Sequence, residues 1–387
     1  MNNQSFFSGN KKLGIIGGGQ LGKMLLQCTN QWDIHTKVLD PDAEAASRTT
    51  CHTFVQGSLQ DYETVYQFGK DCDVLTIEIE HVNVEALKKL ETEGVIVHPR
   101  PASLEIIQDK GLQKIFFRSN DLPTADFMLF ENKQEVLQAL ENNHISIPFV
   151  QKTRKAGYDG RGVQMIQSAA DLVNLFDTQS LVEPKIHLLH EIAVTASRNE
   201  QGEIQCFDAV LMDFHEGANM LDLLLYPAPV NETYIKNAKE IAAALIEKMN
   251  ICGLLAVEFL ISNDQQLYIN EIAPRPHNSG HQTIESAQTS QYEQHIRGVL
   301  NLPLGSTALI MPSAMVNLLG AAGYEGDVHY EGINDCLSKE GVSIHIYGKK
   351  KTKPFRKMGH ATITHHDINK AKNIAIWVRQ TLQVKSL

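Results

Sequence analysis

The segment "GLLAVEFLISNDQQLYINEIAPRPHNSGH", residues 253–281, carries two glutamates whose spacing bears on chemistry. Two apolar stretches flank the turn-forming "NDQQ", and the midpoint between Glu258 and Glu271 falls between Asp264 and Gln265, inside that turn. A simple hairpin therefore sets the two carboxylates opposite each other on one face, roughly 4.5–5.5 Å apart, where like charges destabilise the pair. A divalent cation would compensate them, and magnesium in particular is held by one or two carboxylates together with nucleotide phosphates. The alternative is a slipped register that leaves two tolerated, solvated carboxylates. Strict alternation turns Asn270 to the other face, so a ligand role for it requires the strand to bend. Directly downstream, Arg275, His277, Asn278, Ser279 and His281 crowd one proline-broken loop that can offer donors to a small anion.

Three further clusters could meet phosphate. In "KTRKAGYDGRGV", Lys152 to Val163, the glycines Gly157, Gly160 and Gly162 lie between two strand-like segments with basic residues on both sides. Glycines let backbone N–H groups approach an anion unobstructed, so the stretch reads as a phosphate-covering flap, or else as an exposed hairpin with a flexible tip. Lys152 can point inward from the preceding strand. The basic run "YGKKKTKPFRKMGH" holds Lys349, Lys350, Lys351, Lys353, Arg356 and Lys357, either a sugar-phosphate site or a solvated turn. Near the start, "GIIGGGQLGKM" presents Gly17, Gly19 and Gly22 in the G-x-G-x-x-G spacing of a dinucleotide-binding turn, and Asp40 ends the next strand where a ribose would be met. Those forty residues alone suggest an NAD-dependent dehydrogenase.

The elements that must position these groups follow from pattern. Between Lys12 and Val97, strands at Leu13, Thr36, Val74 and Val95 alternate with helices after Gln20 and Asn83, which implies a parallel sheet flanked by helices. "HPRPAS", His98 to Ser103, breaks the pattern. A helix over Leu104 to Arg118 precedes a small module from Ala125 to Glu183 with a helix, the strand "PFVQKT", the glycine loop, "VQMI", another helix and "SLVE". Beyond Ile186 come several strands, a long helix from Asn231, the glutamate hairpin and a last helix over Asp367 to Leu382.

Composition narrows the class. The 387 residues are 43% apolar, enough for two or three cores, and the formal charge of −10 disfavours nucleic acid or an anionic membrane as a partner. Six dispersed cysteines fit reduced thiols, and the polar N-terminus and lack of a long apolar run fit a cytoplasmic protein.

Taken together, "GGGQLGKM", "EIEHV", "AGYDGRG", "EPKI", "NEIAPRPHNSGH" and "GK…RKMGH" resemble the 5-(carboxyamino)imidazole ribonucleotide synthase family of the ATP-grasp superfamily, in order from Gly17 to His360. The resemblance implies an α/β and α+β chain, with a Rossmann-like N-terminal domain over 1–120 followed by an ATP-grasp fold made of a small flap domain over 121–185 and a larger C-terminal domain over 186–387. It implies that the first glycine turn serves an imidazole nucleotide and not NAD. By the same resemblance, ATP would be contacted by Lys110, Lys152, the flap Gly157, Tyr158, Asp159, Gly160, Arg161 and Gly162, the connection Glu183, Pro184, Lys185 and Ile186, and by Glu191, His215, Asn270 and Glu271. Magnesium, or manganese, would sit on Glu258 and Glu271. Arg275, His277 and Asn278, with Tyr158 and Asp159, would act in catalysis. Gln20, Glu80, Arg275, Lys349 and Arg356 would face aminoimidazole ribonucleotide or bicarbonate. A homodimer is implied as well. His81 stands where the family has Asn, and Val163 where Gln is frequent. Other ATP-grasp ligases, a formate-using transformylase or a biotin carboxylase, would use the same flap and glutamates with a different acceptor.

Overall fold

The computed structural model describes residues 6–155, 162–214 and 221–387. The expected site residues Gly157, Tyr158, Asp159, Gly160, Arg161 and His215 lie outside the described residues.

The first sheet is parallel, with strand order Thr53–Gln56, His35–Asp40, Lys12–Ile16, Val74–Ile77, Ile96–Val97. The two central strands carry apolar runs buried on both faces, as a helix-covered parallel sheet requires. Chain order reverses between Lys12–Ile16 and Val74–Ile77, so the crevice beyond their C-terminal ends is the switch point where such sheets bind ligands. The pattern reading overlooks the strand Thr53–Gln56 and the helix Tyr62–Gly69. The strand has only Phe54 and Val55 as apolar residues at the sheet edge, and the helix is marked by its Asp61 cap, which accepts from the Thr64 amide at 2.8 Å.

The single helix expected over Leu104 to Arg118 is two helices, Pro101–Ile107 and Lys110–Ser119. Pro101 opens the first at the position where its missing N–H costs nothing. Asp109 divides them, capping the second by accepting from the Gly111 and Leu112 amides at 2.8 and 3.1 Å. That break directs Lys110 and Lys114, one turn apart, along one face.

An antiparallel sheet of Met128–Phe130, Ser180–Pro184, Phe149–Thr153 and Val163–Ile166 forms the next layer. Its expected second helix is a short 3-10 turn, Ala169–Asn174. From Leu188 onward one antiparallel sheet runs from the glutamate hairpin, Gly253–Ser262 with Leu267–Ala273, through Leu188–Arg198, Val210–Phe214, Leu221–Tyr226 and Ser313–Leu319 to Lys357–Thr364 and Val342–Ile346. The helix Glu232–Lys248, capped by Asn231, covers the hairpin end with Ala238, Ala242, Leu245 and Ile246 at helical spacing against Val194, Val257 and Phe259. The helix Ile368–Thr381 covers the other end through Ala371, Ala375 and Val378. No described helix is long and apolar enough to cross a membrane.

Candidate active site

The hairpin places Glu258 and Glu271 in register, as the symmetric reading requires, but by a different route. The turn closes on Ser262 and Gln266, with Gln265 in the left-handed region at φ 65°, so its centre is Asp264. Counting outward, Phe259 pairs with Ile269 and Glu258 with Glu271, which leaves Asn270 as the extra residue of a β-bulge. The bulge is the bend that a ligand role for Asn270 demands. The Asn270 side chain comes to the cleft, where its Oδ1 accepts from Lys152 Nζ at 3.1 Å.

Glu258 is 17% exposed and Glu271 51%, so the first lies at the floor of the cleft and the second at its mouth. Burial, reinforced by Glu271 and Glu191, pushes the Glu258 carboxyl up to about 8. Burial acts on Glu271 in the same sense, yet Lys110, Lys152 and His277 outweigh it and hold that carboxyl below its ordinary value. Glu191 pairs across from Leu260, on the same face as Glu258, and burial raises it to about 7. Two carboxylates in register with unrelieved repulsion at the buried one are a fitting donor set for a divalent cation whose remaining ligands come from phosphate. Among the described residues no group of three or more His, Cys, Asp or Glu side chains is arranged to hold a metal by itself.

Lysines converge on this face from two other elements. Lys110 Nζ lies 3.4 Å from Glu271 Oε1, and Lys152 Nζ, besides meeting Asn270, lies 2.8 Å from Glu183 Oε2. Glu183 is buried and has a second cation, Lys114, on its Oε1; sequence reading missed Lys114, although its four-residue spacing from Lys110 was the available signal. Burial alone would raise the Glu183 carboxyl, but Lys152 and Lys114 bring it below its ordinary value. Arg154 forks onto Asp109 at 2.9 and 2.8 Å, tying the end of a flap-sheet strand to the start of the helix that carries both lysines. Beyond Glu183, Pro184 is exposed and Lys185 and Ile186 half-buried, and Gly162, at φ 78°, turns the chain out of the flap.

The loop after the hairpin joins this cluster to the first sheet. Arg275 Nε pairs with Glu80 Oε1 at 2.8 Å, and His277 Nε2 stands 3.8 Å from Glu258 Oε1. Gln291, which sequence reading also missed, fixes the loop by accepting from the His277 amide at 2.9 Å and donating to its carbonyl at 2.8 Å. Asn278 Oδ1 is buried with no hydrogen-bond partner among the described residues. Farther along, His281 packs at a tilt on His360 and His360 stacks on His345, with ring centroids 4.6 and 4.5 Å apart. Burial drives His281 and His360 well below the ordinary histidine value, so these two rings form a neutral joint between the loop and the strand Lys357–Thr364.

The glycine turn does not present an open anion site. Glu78, from the end of the neighbouring strand, accepts from the Gly19 amide at 2.6 Å and from the Gly22 amide, occupying the helix terminus where a dinucleotide's pyrophosphate would lie. A Cβ on Gly17 or Gly19 would come within 2.4 or 2.7 Å of the Glu78 side chain, so these glycines make room for an internal carboxylate. Asp40, the residue placed at a ribose by the dehydrogenase reading, accepts from the Gly18 amide at 2.7 Å instead. That reading is thereby overturned. Gln20, the first residue of the helix, accepts from Lys349 Nζ at 2.7 Å, bringing the turn against the basic run 329 positions away. Lys349, Arg356 and Lys357 are half-buried there, whereas Lys350, Lys351 and Lys353 are exposed, so the run contains both a built cluster and a solvated turn.

Comparison with known proteins matches residues 10–108 to the ribonucleotide synthetase preATP-grasp domain, 115–292 to the ATP-grasp domain and 313–374 to the phosphoribosylaminoimidazole carboxylase C-terminal domain. The chain is 34% identical over 365 residues to N5-carboxyaminoimidazole ribonucleotide synthase of Staphylococcus aureus (strain MRSA252), covering 93% of this chain and 94% of that one. It is 35% identical over 376 residues to the chloroplastic phosphoribosylaminoimidazole carboxylase of Vigna aconitifolia, covering 94% of this chain but only 66% of that longer protein. The crystal structure of N5-carboxyaminoimidazole ribonucleotide synthetase from Thermotoga maritima is similar with a TM-score of 0.90 and 40% identity, over 97% of this chain and all of that one.

Proposed function

Because the chain belongs to the N5-carboxyaminoimidazole ribonucleotide synthase family of ATP-grasp ligases, we propose that its three cleft-lining regions divide ATP-dependent carboxylation of aminoimidazole ribonucleotide among named residues. The domain limits are 1–120, 121–185 and 186–387, supported by a separate sheet in each. ATP lies between the flap sheet and the hairpin, its base near Glu183 to Ile186, its ribose near Glu191, and its phosphates toward Lys110, Lys152, Asn270 and the 157–162 glycine segment. Glu258 and Glu271 hold magnesium, or manganese, which when bound neutralises phosphate charge. Aminoimidazole ribonucleotide lies against Gln20, Glu80, Lys349 and Arg356, at the switch point of the first sheet.

Bicarbonate is a poor electrophile. An oxygen of bicarbonate attacks the γ-phosphorus, the bond to the β-phosphate oxygen breaks, and ADP leaves with carboxyphosphate formed. The exocyclic amine then attacks the carbon, the carbon–oxygen bond to phosphate breaks, and the amine's proton is lost to give the carbamate and phosphate. Carbon dioxide released from carboxyphosphate can serve the same capture. Arg275 and His277, fixed by Glu80 and Gln291, orient the bicarbonate, and Lys152 draws charge from the transferring phosphoryl group. Closure of the glycine segment excludes water from the anhydride. A homodimer and a cytoplasmic location belong to the same reading, supported by the resemblance and by the six unpaired cysteines.

One observation carries this reading. The Asn270 bulge brings flap-sheet Lys152 and the Glu258–Glu271 pair to one face, so a phosphate chain meets cation and carboxylates together. The test is ADP release from magnesium-ATP and bicarbonate with and without aminoimidazole ribonucleotide. Release that requires the nucleotide, with stoichiometric acid-labile carbamate, is the expected result. Equal release without it, or turnover with formate or biotin in its place, would remove the acceptor assignment.

A further inference from the structure

Glu183 has two ammonium partners, and the chemistry proposed above engages only one of them. Lys152 is shared, since the ammonium that meets Glu183 Oε2 also donates to Asn270 on the metal hairpin. Lys114 is not shared in this way. It is 4% exposed, pairs with Glu183 Oε1 and donates to Thr124 Oγ1 at 2.7 Å, and among the described residues it has no bond to the hairpin. When Lys152 turns toward a phosphate, Glu183 loses one cation, and a buried carboxylate left without any would be protonated or displaced.

We infer that Lys114 is a specificity-determining positioning residue, holding Glu183 as an ionised acceptor for the exocyclic amine of adenine while Lys152 serves the phosphates. The inference rests on the reading that places the base beside Glu183. Adenine offers an N6 amine donor where guanine offers an O6 acceptor. An ionised carboxylate accepts from the first and repels the second, whereas a protonated one can donate to guanine. One helix face thus equips both ends of the nucleotide, Lys110 beside Glu271 and Lys114 beside Glu183.

The experiment is steady-state kinetics with magnesium-ATP and magnesium-GTP on the full chain carrying Lys114→Met, Lys114→Arg, Glu183→Gln, or Lys114→Met with Glu183→Gln. Lys114→Met should raise the KM for ATP about tenfold or more, the size of one charge-assisted hydrogen bond, with kcat within about threefold. The ATP-over-GTP ratio of kcat/KM should fall, and Lys114→Arg should restore it. If Lys114→Met does not fold, the paired variant, which removes the Lys114 and Glu183 charges together, should fold and show the same ratio as Glu183→Gln alone. A folded Lys114→Met with unchanged KM and ratio, or a paired variant more impaired in ratio than Glu183→Gln, overturns the inference. Glu183→Gln with an unchanged ratio overturns instead the placement of the base.

Discussion

Replacing Glu258 by Gln should make the metal-free protein more stable at alkaline pH while abolishing its metal-dependent turnover. Burial, with Glu271 and Glu191 beside it, raises the Glu258 carboxyl from an ordinary 4.5 to about 8. A carboxyl raised on folding contributes stability that is fully present below its unfolded value and lost as pH climbs through its folded value. At about 1.4 kcal/mol per pH unit, the interval from 4.5 to about 8 corresponds to about 5 kcal/mol as an upper bound. Because the side chain is 17% exposed, water screens part of this, and about 2–3 kcal/mol is the working figure. Glu191, raised to about 7, adds its own slope, but that slope is common to both proteins and largely cancels in the difference. Glu271, held low, titrates in a more acidic window. The assay is urea unfolding in chelator at pH 5 to 9, followed by tryptophan fluorescence, since Trp377 lies on the helix that packs against the same sheet as the hairpin. Wild type and Glu258→Gln should coincide near pH 5 and diverge in favour of the variant through pH 8. Magnesium with ADP should reverse the order, because the cation binds the native carboxylates and not the amide. A variant less stable than wild type throughout, or a difference independent of pH, would refute the electrostatic account of the pair.

Glu271→Gln should lower kcat at least about a hundredfold with little change in the KM for aminoimidazole ribonucleotide, a loss on the scale of one preorganised electrostatic contact; full magnesium-dependent turnover would show that the metal is held elsewhere. Arg356→Ala should raise that nucleotide's KM about tenfold or more with kcat nearly unchanged, and an unchanged KM would dissociate the basic run from the sugar phosphate. Asn270→Ala removes an acceptor for Lys152 and should reduce kcat/KM for ATP about five- to tenfold. Wild-type kinetics in that variant would make the bulge a feature of sheet geometry alone.

The symmetric count reached the Glu258–Glu271 pair by setting the turn's centre between Asp264 and Gln265, whereas the turn centres on Asp264 and the pair is restored by the bulge, an inserted residue invisible to a count that assumes strict alternation. The resemblance named Asn270; strict alternation alone would have turned it away from the cleft. Lys114 escaped notice for a different reason. It lies outside any glycine-rich or proline-broken motif, and only knowledge of where Asp109 restarts the helix sets it beside Lys110 and opposite Glu183. Gln291 acts through backbone atoms of His277 from 14 positions away, a partnership that residue type does not announce. The parallel sheet was readable from its apolar central strands, while its edge strand Thr53–Gln56 was not, because an edge needs fewer buried residues.

Glu78 gives the glycine turn a different meaning from the one its spacing suggests. A carboxylate tethered by the fold meets the turn's amides without paying the entropy of association that a dissolved pyrophosphate would pay. The occupied turn also acts as a brace across the reversal point of the sheet, linking the strand Val74–Ile77 to the helix that begins at Gln20. What in one fold is a receptor is here a fastening, and Gln20, first residue of the fastened helix, meets Lys349.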